Sequence, residues 1–375
     1  MQPVLRISCR RSLTITLKGL TSNQAALLHE IASSFESRVG IHGMASPNVP
    51  QRATLVGTAD QLQRVTHDMA TYGSRFAGLP NKIDSLIDNY LRSDYKIACK
   101  GKILDFGSRT HIMGILNATP DSFSGDGLYG DENRALEYAR EIAIAGADIL
   151  DIGGESTRPG AKPVTGEEEL TRIIPLIERL SAELTLPISV DTYRSAVAKK
   201  ALEAGASIIN DISGLRFSPD MANVVADYGA TVVIMHSKGT PYDMQQNPVY
   251  EDVVGEVIAY LEEGIAIAEK AGVDREKILI DPGIGFGKTI EHNLLLLNRL
   301  DELRCLGRPI VLGTSRKKFI GTVLNVPTPE QRVDGTATTV ALGIERGAHV
   351  VRVHDVARMA QVVRMTDAIV KNKTT

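Results

Sequence analysis

From residue 112 to residue 355 the chain repeats one pattern, a short apolar run that ends in a polar or glycine-bearing cluster. The runs read IMGILN, ILDIGG, PISVD, SIIND, TVVIMH, ILIDPG, PIVLGTS and VVRVHD. Continuous apolar runs of this length, bounded by turn formers, mark strands buried on both faces, as parallel strands are. Between them lie segments long enough for amphipathic helices, such as ENRALEYAREIAIAG and YRSAVAKKALEAG. Eight such alternations predict a (β/α)8 barrel, an α/β fold whose strands all point one way and deliver their C-terminal ends to a single mouth. Those ends carry Asn117, Asp151, Asp191, Asn210 with Asp211, His236, Asp281, Ser315, and Arg352 with His354. Asp, Asn and Ser are also good helix N-caps, which would account for one or two such clusters. It does not account for eight.

Residues 1–95 do not share this rhythm. SLTITLKGL and ATLVGT read as strands; SNQAALLHEIASSFESRV and ADQLQRVTHDMATYG read as helices, the first with Ser22 as a candidate N-cap. Two strand and helix alternations predict a small α+β domain over 1–95, a third helix in NKIDSLIDNYLRS, a linker over 96–107 and the barrel over 108–375. No polar cluster in the first 95 residues has the spacing of a site, so no role is assigned to them.

Composition narrows the function classes. The 375 residues are 43% hydrophobic and 23% charged with a formal net charge of −3, and no block of lysine or arginine points to nucleic acid as a partner. Cys9, Cys99 and Cys305 are odd in number and lack CxxC spacing, which predicts neither a disulfide frame nor a zinc site and suits a reducing cytoplasm. The N-terminal segment has no apolar core and cleavage site of a signal peptide, and no run approaches a membrane span, so a membrane partner is not expected.

The candidate chemistry lies at the strand ends. NATPDSFSGDG and GGESTRPG, after the first two strands, are roughly twice the length of an ordinary turn in these units, which favours functional loops over plain connections. Arg158, between Thr157 and Pro159, suits a carboxylate or a phosphate. Asp191, Asn210 and Asp281 are short and rich in acceptors. They fit either the N–H edge of a heterocycle such as a pterin or purine, or a metal cage, and spacing alone does not choose. GKT at 287–289 imitates the end of a phosphate-binding P-loop, but that pattern needs a glycine where Pro282 stands, so DPGIGFGKT reads instead as a glycine-rich loop allowing close backbone approach to a flat ligand. GTSRKKF gathers Arg316, Lys317 and Lys318 ahead of a short helix and reads as an anion site. Arg352 and His354, two apart inside an apolar strand, face one way and add to it.

Taken together, MGILNATPDSFSGDG, DIGGESTRPG, SVDTYR, IINDIS, MHSKGTP, DPGIGFGKT, GTSRKKF and RVHD resemble the dihydropteroate synthase family over about residues 108–372. The resemblance implies a folate-pathway transferase that joins 6-hydroxymethyl-7,8-dihydropterin pyrophosphate to 4-aminobenzoate, releases pyrophosphate and uses Mg2+ as cofactor. It implies that Asp191, Asn210, Asp281 and Lys317 hold the pterin, which decides against the metal cage. It further implies that Asn117, Arg352 and His354 hold the pyrophosphate, with Asn117 also on the metal. Phe123, Thr157, Arg158 and Pro159 would close over the aminobenzoate. Asn117, Arg158, Lys317, Arg352 and His354 are thus the expected catalytic set. The family resemblance also implies a cytoplasmic homodimer. Three positions depart from the family pattern: Gly125-Asp126-Gly127 displaces the first-loop aspartate by one place, Ser237 replaces a common methionine, and Lys318 replaces a serine found in some relatives. Two rivals predict different residues. A methyltetrahydrofolate-dependent corrinoid methyltransferase would share the acceptor set but not need Arg352, His354 and the STRP loop, and a non-catalytic pterin-binding protein would have a damaged anion site.

Overall fold

The computed structural model describes residues 3–9, 12–35, 37–42, 51–119, 132–156, 163–240 and 243–371. The chain forms two compact units, one of residues 1–92 with 301–307 and one of 93–300 with 308–375. The first contains β1 (Pro3–Cys9), β2 (Ser12–Leu20), α1 (Ser22–Ser34), β3 (Arg38–His42), β4 (Gln51–Gly57), α2 (Ala59–Thr71) and α3 (Leu79–Leu91). Its antiparallel sheet has the order β1-β2-β4-β3. Ile15, Leu17 and Leu55 of the two central strands are fully buried, as are Leu28 of α1 and Leu62 and Val65 of α2.

The two strands absent from the sequence reading, β1 and β3, are the sheet's edges. Edge strands tolerate charge, and PVLRISC and RVGIH each carry an arginine that breaks the apolar run on which the reading depends. The N-cap of α1 is Thr21 rather than Ser22. Thr21 is extended and accepts the Gln24 N–H at 3.2 Å while the Gln24 amide accepts the Thr21 N–H at 2.9 Å, a reciprocal box that places Ser22 inside the first turn. Thr58 and Gln61 repeat the device at α2.

The second unit opens with a hairpin, β5 (Lys96–Cys99) and β6 (Lys102–Asp105), in the segment expected to be a linker. Eight parallel strands then close in chain order: β7 (His111–Asn117), β8 (Ile149–Gly153), β9 (Ile188–Asp191), β10 (Ile208–Asp211), β11 (Thr231–Met235), β12 (Ile278–Asp281), β13 (Ile310–Leu312) and β14 (Ala348–Val353). All eight are the strands read from the apolar runs, and β14 pairs back onto β7. The intervening helices are α4 (Glu132–Ile144), α5 (Gly166–Glu183), α6 (Ser195–Glu203), α7 (Met221–Asp227), α8 (Val253–Lys270), α9 (Ile290–Asn298), α10 (Lys318–Leu324), α11 (Val333–Glu345) and α12 (Val356–Lys371). Among the described residues no helix is long and apolar enough to cross a membrane.

One end of this barrel is closed by the hairpin. Tyr95, Ile97, Cys99, Leu104 and Phe106 pack in one cluster with Met113, Ile149, Ile208, Val233, Leu279, Val311 and Val350, the inward residues near the strand starts. Water is thereby kept from the N-terminal end, and the polar strand ends face the other. Phe106→Ala is expected to cost about 3–5 kcal/mol of stability, the usual range for emptying a buried aromatic site. Urea unfolding monitored by circular dichroism measures it, and the specific activity of the folded fraction should not change.

Candidate active site

Strand register assembles the site before any side chain is considered. Asn117 pairs with Gly153, Gly153 with Asp191, and Asp191 with Asn210, a single row across four neighbouring strands. Side chains in register on adjacent strands point to the same face, so Asn117, Asp191 and Asn210 project together into the mouth. Gly153 leaves a gap in the row, since a Cβ built there would lie 3.8 Å from both Asn117 Oδ1 and Asp191 Cβ. Two residues back, and therefore on the same face, Asp151 pairs with Ser189 in the layer beneath.

Asp151 organises that layer. Fully buried, it accepts the Ser189 hydroxyl at 2.6 Å, the Asn210 Nδ2 amide at 3.3 Å and the Arg352 Nε at 2.6 Å. The Asn210 bond has a directional consequence. With Nδ2 committed to a carboxylate, the amide oxygen Oδ1 is turned away from Asp151, and it is buried without a partner among the described residues. Arg352 uses a second nitrogen, Nη2, to bond Asp191 Oδ2 at 2.9 Å, which leaves Asp191 Oδ1 likewise buried and unpartnered among the described residues. Buried acceptors of this kind are rare because each forfeits its hydration without return. Burial pushes the Asp191 carboxyl up to about 7, against the pull of Arg352 and with the Asp151 carboxylate adding to the rise.

Asp281, at the end of β12, is also buried, and burial raises its pKa while Lys317, the Gly283 N–H and Arg352 draw it back. Its Oδ1 accepts the Gly283 N–H at 2.7 Å. Gly313 lies between it and Arg352, a Cβ there being 3.9 Å from Asp281 Oδ2 and 3.8 Å from Arg352 Cβ. Lys317 donates to the Ile284 carbonyl with its Nζ 4.8 Å from the centre of the Phe286 ring, and burial lowers its pKa to about 8. Asp281, Lys317, Arg352, Asp191, Asn210 and Asn117 therefore belong to one mouth, as expected from the sequence.

The loops after β13 and β14 revise the picture of a three-cation cluster. Arg316 is turned into a bidentate pair with Asp355, at 2.9 and 2.6 Å, and Lys318 is exposed, so only Lys317 of the three reaches the mouth. Ser315 is what joins these loops at the site. Its Oγ accepts the His354 backbone N–H at 3.1 Å and lies 3.0 Å from His354 Nδ1. One hydroxyl thus fastens both the backbone and the ring of His354. The glycine-rich loop after β12 also packs closely against protein. Gly283 has φ 65° and a Cβ on it would sit 1.8 Å from the His236 carbonyl oxygen, so the close approach it permits is to protein backbone.

Phe123, Thr157, Arg158 and Pro159 lie outside the described residues. Glu155, just before Thr157 in sequence, is bonded by Arg194 at 2.5 Å, and Arg194 also bonds Glu169 at 2.6 Å and the Val164 carbonyl at 2.8 Å. Neither Arg194 nor Asp151 had been given a role from sequence. Asp151 was visible as a polar strand end, whereas the partners that define it are up to 201 residues away. Among the described residues no group of three or more His, Cys, Asp or Glu is placed to hold a metal ion.

Comparison with known proteins agrees with this geometry. Residues 113–354 match the family model described as pterin binding enzyme. A dihydropteroate synthase of Bacillus subtilis is 49% identical over 273 residues, covering 73% of this chain and 93% of that protein. The Yersinia pestis dihydropteroate synthase, solved with a sulfonamide drug complex, superposes with a TM-score of 0.71 at 39% identity, covering 74% of this chain and all of that one. The Xanthomonas albilineans enzyme in complex with 7,8-dihydropteroate gives 0.65 at 42% identity, covering 73% and 98%.

Asp151 and Asp191 should respond oppositely to substitution. Asp151→Ala leaves Arg352 and Asn210 short of a buried partner and is expected to cost about 3–5 kcal/mol in urea unfolding. Asp191 has a pKa near 7 when folded, above the ordinary carboxylate value. The folded state thus binds the extra proton between the two values, and stability falls as pH rises through that window. Asp191→Asn removes the penalty, so its Tm should gain on the wild type as pH rises from about 5 to about 8. A constant Tm difference across that range would refute the Asp191 assignment.

Proposed function

The chain belongs to the pterin binding enzymes and, within them, to the dihydropteroate synthases, and we propose how its residues divide that work. It is a transferase of folate biosynthesis that condenses a dihydropterin pyrophosphate with 4-aminobenzoate. The observation that carries the assignment of residues is the pair of unpartnered buried oxygens, Asp191 Oδ1 and Asn210 Oδ1, in a mouth that also holds Asp281. A pterin edge presents several N–H donors in one plane and would satisfy them. Other ligands without such donors would leave the oxygens unpaired, at a cost of about 1–3 kcal/mol each.

The substitution needs no protein nucleophile. The bond between the pterin methylene carbon and the pyrophosphate oxygen breaks first, its electron pair leaving with pyrophosphate. The resulting positive charge is delocalised into the pterin ring. The aminobenzoate nitrogen then supplies the electron pair of the new bond and loses one proton to solvent water. Arg352 and His354 offer N–H donors to the departing anion, and a donor aimed at charge that develops in the transition state accelerates the step directly. Asp191 and Asp281 face the ring on which positive charge appears. Their carboxylates are thus suited to the ring both as acceptors and as countercharge. Phe123, Thr157, Arg158 and Pro159 are assigned by family motif to the aminobenzoate.

Mg2+ belongs to the same proposal. The donor set fits an ion carried mainly by the substrate, because Asn117 offers one neutral oxygen beside the gap at Gly153 and Mg2+ is commonly held by one or two protein oxygens plus phosphates. When bound it would neutralise charge on the leaving group. A homodimer is the assembly proposed with it.

The decisive assay follows pyrophosphate release from the pterin substrate with Mg2+, with and without 4-aminobenzoate. Release that depends on both substrates and yields 7,8-dihydropteroate is the expected result; release indifferent to 4-aminobenzoate would overturn the reading. Asp281→Ala should weaken pterin binding by at least ~2 kcal/mol in calorimetry, since donors on the ligand and acceptors in the site are left unmatched.

A further inference from the structure

Lys288 is buried to 3% exposure, lies outside the set of groups that meet substrate, and is nevertheless tied on every side. Its Nζ is 2.8 Å from His236 Nδ1, 2.9 Å from the Gly283 carbonyl and 3.0 Å from the Phe286 carbonyl. The carbonyls can only accept, so at least two ammonium protons are committed to the loop after β12 and the third contact reaches the loop after β11. The loop is gripped along its whole length. Lys317 takes the Ile284 carbonyl, Gln245 that of Gly285 at 2.6 Å and Tyr250 that of Gly287 at 2.7 Å. Five successive carbonyls from Gly283 to Gly287 therefore have side-chain donors, and Lys288 supplies two of them.

We propose that Lys288 is a positioning residue for the pterin-binding carboxylate. By fixing the Gly283 and Phe286 carbonyls and the His236 ring to one another, it holds the Gly283 N–H against Asp281 Oδ1 and so sets the direction in which Oδ2 meets the ligand. The inference rests on the reading that Asp281 binds the pterin. Charge argues for the same role. Burial drives the lysine well below its usual pKa, and the Asp281 carboxylate opposes that drop, so the two buried groups compensate one another. A neutral residue of equal length would keep the packing and lose the grip.

The test uses the full chain with Lys288→Met, checked for folding by thermal melting. Binding of 6-hydroxymethylpterin is measured by calorimetry, and KM is measured for each substrate. The pterin Kd and the KM for the pterin pyrophosphate should rise about tenfold, while the KM for 4-aminobenzoate stays within about twofold. A variant that melts lower but binds the pterin as the wild type does would reduce Lys288 to a stabilising residue and overturn the proposal. If Lys288→Met does not fold, His236→Leu and His236→Gln carry the test, because only glutamine retains an acceptor for Nζ. Pterin binding lost in the leucine variant and largely recovered in the glutamine variant is the expected result, and equal affinities would overturn it. Failure of the wild-type protein itself to bind the pterin would instead remove the underlying site reading.

Discussion

Three carboxylates, the buried Asp151 and Asp281 and the largely covered Asp191, share one barrel mouth, and the rest of the site is arranged around that burden. Two like charges about 4 Å apart repel by roughly 4 kcal/mol at an effective dielectric near 20, against a total domain stability of about 5–15 kcal/mol. Such a cluster survives only if cations and N–H donors are built into its walls. Arg352 is central because it bonds Asp151 and Asp191 at once. Lys317 and Lys288 balance Asp281 from the adjacent loops. An arginine of an apolar strand and a buried lysine, both anomalous as core residues, are thus explained by the same electrostatic demand.

That demand also explains why the site sits on strand ends with its loops tied down. A carboxylate that must keep one orientation cannot be left to rotate, and each is held by neighbouring protein donors: Ser189 and Asn210 for Asp151, Arg352 for Asp191, Gly283 for Asp281. The aromatic and aliphatic closure at the other end of the barrel serves the same end indirectly. With Phe106 and its neighbours excluding water from the strand starts, the inner face below the polar layer is apolar. Charges in the mouth are therefore screened weakly on that side, and each fixed donor counts for more.

The barrel was legible because parallel strands are buried on both faces and leave continuous apolar runs punctuated at one end. All eight strands and the polar residues that end them could be named on that basis. What could not be read were relations across the sheet. Nothing in ILDIGG says that Asp151 will meet Arg352, and nothing in GTSRKKF says that Arg316 will leave the anion site for Asp355, 39 residues later. Lys288 was visible only as part of an unsuccessful P-loop match, since a lysine's destination depends on which carbonyls the fold brings within its reach. In the first unit the central strands were legible and the charged edges were not, because an edge needs only one neighbour and so relaxes the apolar constraint.

Placing acceptors before the ligand arrives is costly, and the location of the cost shows what the protein gains from it. Asp191 Oδ1 and Asn210 Oδ1 have no partner among the described residues, and burial raises the Asp191 carboxyl to about 7, working against its ionised form. A ligand that donates N–H groups to Asp191 and carries developing positive charge stabilises that ionised form. The interaction is strongest when the ring charge is greatest, which in a dissociative substitution is at and after loss of pyrophosphate. Binding energy that increases along the reaction lowers the barrier, whereas binding energy already complete in the ground state does not. A site made only of neutral, fully satisfied groups would be more stable and would hold the pterin, yet it would contribute less to breaking the bond. On the proposed assignment, the carboxylates would act through the charge they meet in the transition state, at the expense of the stability of the fold.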